Sequence, residues 1–293
     1  QNGGDRTIGM NYGINGVYNA GAYAINSVEE RSLVVDNTAD DINPFDGKTS
    51  LREAIGFAQS GDATANWDSN GDGTADGYKI TFSADVDWAA LGSVIVLDDT
   101  LGDFQINSNI SIDGSLGTAG EITIKVKTSV YDKVKAYCTE KGIAESDFTY
   151  ADTMALDMTG VSTHRIFNVA LNYNFALSNM ELQGGSLTDL NGGVIFVEKS
   201  SKSVLTLNNV DLLGGKTNTS GGLIYAESIN NVIMDDVTLA YGYAGCQGAA
   251  YVRGMTMTNS RVFANASDDV AGGIYSAGTN KISGSVFRNN AGG

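Results

Sequence analysis

The densest run of oxygen-bearing side chains in the sequence lies between residues 68 and 76. Its order is Asp-Ser-Asn-Gly-Asp-Gly-Thr-Ala-Asp, with acid or amide oxygens at the first, third, fifth and ninth positions and glycine at the sixth. This spacing matches the opening of a calcium-binding loop, because calcium takes six to eight oxygen ligands from one tight backbone turn. The pattern predicts a structural calcium site whose ligands are Asp68, Asn70, Asp72, Thr74 and Asp76.

The end of this run departs from an EF-hand. The twelfth position, where an EF-hand has a bidentate glutamate, is Lys79. The pattern is therefore closer to the calcium loops of dockerin-like or thrombospondin-like modules, which complete the shell with other acids, and Asp62 is a candidate for such a ligand. The alternative interpretation is an acidic, glycine-rich loop exposed to solvent.

Paired carboxylates are the second group of residues that could do chemistry. Asp235 and Asp236 are adjacent, and Asp211 occupies a related place earlier in the chain. Two carboxylates held several ångströms apart can cleave a glycosidic bond as acid and base or nucleophile. The alternative is that these aspartates form a polar corner that repeats along the chain.

Other catalytic arrangements find little support in the sequence. His164 is the only histidine, so Ser-His-Asp chemistry would depend on it, and a zinc site lacks a ligand set. No phosphate-binding glycine loop follows a strand, which excludes the common nucleotide-binding motifs. Cys138 and Cys246 are either two unpaired thiols or one disulfide bridge. The chemistry thus favours a non-enzymatic protein.

Aromatic residues recur at one place in the second half of the chain. Tyr225, Tyr251 and Tyr275 each follow a glycine motif and could line a sugar-binding face. Phe196 holds the same place in the first unit, which favours stacking in the core or in a ladder. Tyr241-Gly242-Tyr243 is a separate pair that we predict to be exposed to a ligand.

The glycine motif itself reveals how the chain is organised. A Gly-Gly pair or its variant precedes an apolar strand at intervals of 20 to 29 residues, and the units begin at Gly192, Gly221, Gly248, Gly272 and Gly292. Repeats of this length build solenoids, in which each unit buries its apolar face only against its neighbours.

A polar pair recurs in register with the glycine motif. Apolar residues flank it in each unit, as in Leu177-Ser178-Asn179-Met180 and Met234-Asp235-Asp236-Val237. We expect a corner at which asparagine, aspartate or glycine side chains stack from one unit to the next, because these residues tolerate left-handed backbone conformations.

Two helical segments interrupt the strand-rich pattern. Ser50 and Glu53 form a capping box, and the residues that follow place apolar side chains on one helical face. A helix of this kind would cover the open end of the repeats. Val130, Val134 and Cys138 are also at helical spacing, and Gly142 can end that helix.

The chain is predicted to divide into an irregular segment over residues 1–31 and an all-β repeat domain over residues 32–293. Within this domain we place a capping region with the first coils at 32–127. A helical insertion that projects from a coil follows at 128–160, and regular coils occupy 161–293.

Composition limits the partners. The chain has 293 residues, with 34 acidic and 18 basic side chains and a net charge of −16. Nucleic acid and anionic membrane surfaces need clustered lysine and arginine, so neither is expected as a partner. No apolar run approaches the roughly 20 residues of a membrane span.

Three features resemble a known class of bacterial surface proteins. Residues 33–41 together with residues 49–55, which read TSLREAI, resemble the CSLREA domain, although Thr49 replaces its cysteine. The glycine units and Phe287-Arg288-Asn289-Asn290 resemble the GGA[ILV] and FxxN repeats of polymorphic outer-membrane proteins. In Phe263-Ala264-Asn265-Ala266 the final asparagine is missing.

The resemblance implies a right-handed parallel β-helix that is secreted or displayed on the bacterial cell surface, such as an adhesin or autotransporter passenger. We expect it to bind an extracellular glycan or host surface protein without catalysis and to be part of a longer chain. A polysaccharide lyase or glycoside hydrolase on the same scaffold is the alternative, and a purely structural stalk is another.

Overall fold

The computed structural model describes residues 29–61, 63–200, 202–227 and 232–293, together with the backbone of two short strands at 19–20 and 23–24. Most of the irregular segment predicted at 1–31 therefore lies outside the described residues, and so does Asp62. No helix in the described part of the chain is long and apolar enough to cross a membrane.

Strands make up most of the regular structure. The strands before the helical insertion are β1 (Asn19–Ala20), β2 (Tyr23–Ala24), β3 (Val34–Val35), β4 (Tyr78–Phe82), β5 (Val94–Val96), β6 (Phe104–Ile106), β7 (Ile110–Asp113) and β8 (Ile122–Lys125). The strands after it are β9 (Phe167–Val169), β10 (Phe175–Gln183), β11 (Ser186–Leu187), β12 (Ile195–Val197), β13 (Leu205–Thr217), β14 (Ile224–Ala226), β15 (Val232–Ala244), β16 (Ala250–Val252), β17 (Met255–Thr258), β18 (Arg261–Phe263), β19 (Ala266–Ser267), β20 (Ile274–Ser276), β21 (Asn280–Ser283) and β22 (Val286–Arg288).

Helices are few and lie where the sequence places helical segments, apart from one short turn of helix. The helices are α1 (Leu51–Ser60), α2 (Trp88–Leu91), α3 (Val130–Lys141) and α4 (Tyr150–Ala155), with 3-10 turns at Gly117–Ala119 and Glu145–Asp147. The fold is thus mostly β.

The strands form two large sheets in which the pairing is parallel. One sheet has 14 strands and contains the central path β3-β4-β7-β10-β13-β15-β17-β21, and the other has six in the order β6-β9-β12-β14-β16-β20. In both, each strand pairs with the equivalent strand of the next sequence repeat. From β10 onward paired residues lie 23 to 30 positions apart, as Val232 with Met255 and Phe175 with Leu205, so the repeat of the sequence becomes the stacking of the fold.

The core lies between the two sheets. Leu205, Leu207, Val210 and Leu212 of β13 are fully buried, and the strands paired with β13 bury apolar side chains at the same register positions. Burial of a side chain of this size contributes about 1.5–3 kcal/mol each. Inward- and outward-facing residues thus alternate along β13 on the N-terminal side of the corner, from Leu205 to Asn208.

A residue with left-handed backbone forms a corner within the long strands β10, β13 and β15. Buried apolar residues lie on both sides of this corner. Asn179, Asn209, Asp236 and Asn259 hold this position with φ of 54°, 51°, 53° and 51°, and Gly284 follows with 61°. The Asn209 side-chain amide donates to the Asn179 side-chain oxygen at 3.1 Å, so the corner side chains bond along the stack. The predicted polar corner is confirmed, and the left-handed backbone explains its residue types.

The glycine motif has a steric cause. Each unit directly precedes a strand of the six-stranded sheet, and the backbones of successive units touch there. A Cβ on Gly193 would lie 2.2 Å from the carbonyl oxygen of Gly222, which no side chain can tolerate. The last pair is an exception, because Ala291 pairs with Ala266 and so puts Gly292 out of register with Gly272. The prediction that Gly292 begins a repeat unit is therefore wrong.

The two segments that resemble FxxN repeats are aligned in the structure with an offset of one residue, so Phe263 and Phe287 are not equivalent. Phe287 pairs with Val262, so Asn290 is equivalent to Asn265, which is buried. The Asn265 side-chain amide donates to Leu239 O at 2.9 Å and to the Asn290 side-chain oxygen at 2.9 Å. The asparagine that seemed to be missing is thus present, and it satisfies a buried carbonyl.

Helix α1 covers one end of the core as its capping box predicts. The Ser50 hydroxyl accepts the Glu53 amide, the Glu53 carboxylate accepts the Ser50 amide, and the apolar face of the helix is buried. Arg52 anchors the helix from its other side, since it donates to both Asp40 oxygens at 2.6 and 2.8 Å and to Gly102 O at 2.7 Å.

The helical insertion packs against the large sheet. Val134, Cys138 and Phe148 form a second apolar cluster with Leu213 and Tyr241 on the outer side of that sheet. The sequence predicted a segment that projects from a coil. The structure differs because this part of the sheet carries apolar side chains on its outer face, and the insertion removes them from water.

Candidate ligand-binding face

The outer face of the six-stranded sheet carries a continuous row of aromatic side chains. Phe196, Tyr225, Tyr251 and Tyr275 occupy equivalent positions in β12, β14, β16 and β20, where each pairs with the next across the parallel ladder. We call these four residues the aromatic ladder. Successive strands deliver one ring each at a spacing close to that of paired strands.

Strand alternation aims the aromatic ladder outward. Ile195 and Val197 on either side of Phe196 are buried, while Phe196 itself is half-buried, and β14 and β16 repeat this pattern. The sequence left a sugar-binding face and a core or ladder stack as alternatives. The structure shows a stack, and it lies on the outer surface of the sheet and not in the core.

The rings contact one another along the whole ladder. The Phe196 and Tyr225 rings are stacked with centroids 5.5 Å apart, and the two following pairs meet edge to face at 5.2 Å. Both arrangements are favourable for aromatic pairs and hold the rings in place. The result is a rigid strip of ring edges and hydroxyl groups.

Polar groups border the aromatic ladder. The Tyr225 hydroxyl donates to Glu227 at 2.6 Å, and the Arg165 guanidinium lies 5.0 Å from the centre of the Phe196 ring. Burial, reinforced by the nearby Glu227 carboxylate, raises the pKa of Tyr225 and Tyr251, so both phenols stay protonated at neutral pH. The strip therefore combines apolar surface with hydrogen-bond donors, a cation and a carboxylate.

His164 belongs to a polar cluster beside this face and not to a catalytic triad. Its Nδ1 lies 3.5 Å from Asp103 Oδ1, and Arg165 Nε lies 3.2 Å from the other Asp103 oxygen. Burial raises the pKa of Asp103, whereas the neighbouring Arg165 guanidinium and the hydrogen bond with His164 oppose that shift. Arg165 is almost fully buried, so this ion pair holds the start of β9 in place.

The predicted calcium ligands lie in a loop closed by the bridge between Trp67 and Gly77. Asp68 is half-buried, and its two carboxylate oxygens accept the backbone amides of residues 70 to 73, with 2.7 Å to Gly71 and to Gly73. These hydrogen bonds lower the pKa of Asp68. The carboxylate is thus held ionised inside the turn.

The other predicted ligands surround the same turn. The Asn70 side-chain oxygen accepts the Asp72 amide at 2.9 Å, Asp72 accepts the Thr74 amide at 2.9 Å, and Asp76 accepts the Ser69 amide at 2.7 Å. The donor types suit calcium. However, no three or more Asp, Glu, His or Cys side chains are grouped as a metal ion would require anywhere in the described ranges.

The carboxylates considered for catalysis lie at and beside the left-handed corner. Asp236 occupies the corner itself, Asp235 pairs with Asn208 before it, and Asp211 pairs with Thr238 after it. The side chains of Thr258 and Asn259 donate to Asp235 and lower its pKa, which suits a permanent hydrogen-bond acceptor and not a general acid. The polar-corner interpretation explains these residues.

The prediction that Tyr241 and Tyr243 are exposed is wrong. Both are buried, and the Tyr241 ring stacks on Tyr131 of α3 at 5.3 Å with an interplanar angle of 16°. Cys138 is buried in the same cluster and Cys246 is half-buried, and neither forms a disulfide.

Two residues beside the aromatic ladder escaped the sequence analysis. Glu227 follows Tyr225 by two positions, so strand alternation could have placed both on one face. Arg165 carried no such signal, because its contact with Phe196 depends on a strand pairing between distant residues. Comparison with known proteins found no matching family, no similar curated protein and no similar solved structure.

Proposed function

We propose that this chain is a secreted or surface-displayed binding protein that uses the aromatic ladder to hold an extended glycan. The ladder is the single observation that carries the proposal. A sugar chain presents apolar C–H faces and hydroxyl groups in alternation, and the ladder offers aromatic surface bordered by phenols and the Glu227 carboxylate. Amphipathic aromatic side chains with a few polar groups are characteristic of such binding surfaces.

The scaffold that supports this surface is, in our proposal, a right-handed parallel β-helix. Three things support this: parallel pairing between consecutive repeats, a left-handed corner at Asn179, Asn209 and Asp236, and the strong preference of parallel crossovers for the right hand. A stack of this kind presents one equivalent side chain per repeat along its length. An elongated ligand can therefore meet several equivalent side chains at once.

A carbohydrate-active enzyme remains the second candidate. It would need paired acids in a cleft, and Asp235 of the aspartates considered for this role is held as a hydrogen-bond acceptor by Thr258 and Asn259. A structural stalk is the third candidate, and the aromatic ladder argues against it, because a stalk has no need for aromatic groups at the water interface.

Glycan binding and cleavage measured together on a panel of neutral and acidic polysaccharides test the proposal. We expect binding without turnover. Tyr251→Ala removes one of the two inner rings of the ladder and should weaken affinity by tenfold or more, because its edge-to-face contacts with Tyr225 and Tyr275 are lost as well. Tyr150→Ala on the helical insertion is the matched control, since it removes an exposed tyrosine elsewhere, and it should leave the affinity unchanged.

Three results would contradict the proposal. Turnover of any polysaccharide would replace it with the enzyme alternative, and equal weakening by both substitutions would remove the ladder from the binding site. Binding to purified extracellular proteins with no glycan binding would mean that the ligand is a protein.

Calcium binding at residues 68–76 is a further part of the proposal. We expect calcium at about 100 times its dissociation constant to raise the melting temperature by about 5 °C, since it would bind only the folded loop. Asp72→Ala should abolish this rise and leave the Asp68 hydrogen bonds intact. Asp99→Ala, an exposed acid elsewhere, should keep it. A melting temperature that calcium does not change in the unsubstituted protein would refute the site.

A further inference from the structure

The outward positions that carry the aromatic ladder continue beyond it toward the capping helix. Asn168 in β9 pairs with Phe196, and Gln105 in β6 pairs with Asn168, so both amides lie in line with the rings across the parallel sheet. The neighbours of Asn168 in β9 are fully buried, and so are Phe104 and Ile106 beside Gln105, which turns both amides outward. We call the four rings and these two amides the outer row.

The fold itself gives no reason for amides at these two places. Asparagine is depleted from strands, yet Asn168 is the middle residue of β9. Its side chain is half-buried and forms no hydrogen bond with the described residues. The Gln105 side chain is exposed, and among the described residues its amide forms only a long hydrogen bond of 3.4 Å, to Asp103 O. Both amides are therefore open to a ligand on the outer face.

The two amides lengthen the surface considerably. Gln59 of α1 donates from its side chain to Gln105 O at 2.7 Å, so the capping helix borders this end of the outer row. Adjacent strands lie about 4.8 Å apart, so the five steps from Gln105 to Tyr275 span about 24 Å, whereas the three steps of the aromatic ladder span about 14 Å. The length of the ligand that fills the surface therefore distinguishes the two.

The outer row contains no charged side chain. Its members are a phenylalanine, three tyrosines and two amides, and phenols and amides both donate and accept hydrogen bonds. This matches the hydroxyl groups of a neutral sugar, whereas an ionised carboxylate only accepts and would need a cation in the row. Arg165 beside Phe196 does not supply one, because it is buried and its Nε lies 3.2 Å from Asp103.

The charged residues beside the outer row do not favour an acidic ligand either. Glu198, Glu227 and Arg253 each follow a ring of the aromatic ladder by two positions in their strands. Glu227 and Arg253 come directly after Ala226 and Val252, which pair with each other, so these opposite charges stand side by side. The remaining charge is the Glu198 carboxylate, which repels anions.

We propose that the whole outer row is one binding strip for an uncharged, extended polysaccharide that lies along the stacking direction of the repeats. The rings take the apolar faces of the sugars, and Asn168 and Gln105 exchange hydrogen bonds with their hydroxyl groups. The inference rests on the proposed glycan-binding function and narrows its ligand to a neutral chain at least about 24 Å long.

Titration calorimetry with oligosaccharides of increasing length tests the strip. The probes are cello-oligosaccharides and xylo-oligosaccharides as neutral chains and oligogalacturonides as acidic ones. Affinity for at least one neutral series should rise with length until the chain spans about 24 Å and then level off. The acidic series should bind at least tenfold more weakly than that neutral series at every length.

Substitution of one amide separates the two parts of the strip. Asn168→Ala should weaken binding of the longest neutral oligosaccharide about five- to tenfold, as expected for a lost hydrogen bond, and leave the affinity for chains shorter than about 14 Å unchanged. Asn208→Ala is the matched control, because Asn208 is an exposed asparagine on a strand of the other sheet, and it should change neither affinity. Should Asn168→Ala fail to fold, Gln105→Ala makes the same test at an exposed position.

The results that would overturn the strip differ from those that would overturn glycan binding itself. Affinity that levels off at about 14 Å, or equal behaviour of Asn168→Ala and Asn208→Ala, confines binding to the rings and leaves the proposed function standing. Tighter binding of the oligogalacturonides also leaves that function standing but refutes a neutral ligand. If none of the three series binds, or if Tyr251→Ala binds them all as tightly as the unsubstituted protein, the strip and glycan binding at the aromatic ladder fail together.

Discussion

Replacement of Gly214 by alanine is expected to destabilise the protein by about 3 kcal/mol or more, whereas the same replacement at Gly142 should cost about 1 kcal/mol. Both glycines have φ of 65°, so the intrinsic cost of a left-handed alanine is shared. The difference between the two variants therefore isolates the surroundings of Gly214.

Those surroundings are the backbone of the helical insertion. A Cβ on Gly214 would lie 2.4 Å from the Tyr131 nitrogen, whereas nothing lies within 4 Å of a Cβ on Gly142. Because α3 begins at Val130, the clash can be relieved only if the first turn of this helix moves off the sheet. That movement would also separate the stacked rings of Tyr131 and Tyr241.

Urea unfolding of both variants measures the two costs, and near-ultraviolet circular dichroism reports on the Tyr131–Tyr241 stack. We expect a weakened aromatic signal for Gly214→Ala only. Equal free energies of unfolding for the two variants, with an unchanged aromatic signal, would show that the insertion does not rest on the sheet at this point.

The corner and the cap could be predicted from the sequence because their causes are local. A left-handed position favours asparagine, aspartate or glycine, so the series from Asn179 to Gly284 is visible in the sequence itself. The capping box of Ser50 and Glu53 is likewise contained within one helical turn. Local rules therefore reveal both the repeat and the end of the stack.

The docking of the insertion could not be predicted in this way. The local sequence Tyr241-Gly242-Tyr243 is typical of an exposed turn. The burial of Tyr241 depends instead on Tyr131 and Phe148, which lie far earlier in the chain. The six-stranded sheet shows the same limit, since nothing in the sequence indicates that Arg165 contacts Phe196. Such contacts depend on which strands pair, and the pairing follows from the whole stack.

The candidate site was only partly visible for a related reason. The glycine units correctly place Tyr225, Tyr251 and Tyr275 at equivalent positions, because steric contact between stacked glycines fixes the register. A regular period does not show which face of a strand turns inward when apolar residues occupy both faces. In β12, where Ile195, Phe196 and Val197 are all apolar, only the fold decides which of them reaches water.

Because one face of the six-stranded sheet is buried and the other reaches water, a phenylalanine-to-alanine substitution should lower the free energy of unfolding by very different amounts on the two faces. Phe167→Ala should destabilise the protein by about 3–5 kcal/mol, because the ring is fully buried and its loss leaves a cavity. Phe196→Ala, in the neighbouring strand, should cost about 1 kcal/mol, because water can fill the space and one stacked pair is lost.

The packing around the two rings justifies these magnitudes. The Phe167 ring lies 5.6 Å from the Phe104 ring and 5.0 Å from the Phe175 ring. Its removal therefore takes away a packing contact between the two sheets. Phe196 contacts Tyr225 on the outer surface at 5.5 Å.

Equilibrium unfolding in urea distinguishes the two cases. If both variants lost a similar free energy of unfolding, or Phe196→Ala lost more, the assignment of the inner and outer faces of the six-stranded sheet would be wrong. Tyr225, Tyr251 and Tyr275 would then point into the core, and the glycan-binding proposal would lose its surface. The difference between these two phenylalanine substitutions thus tests the fold and the proposed binding face in a single experiment.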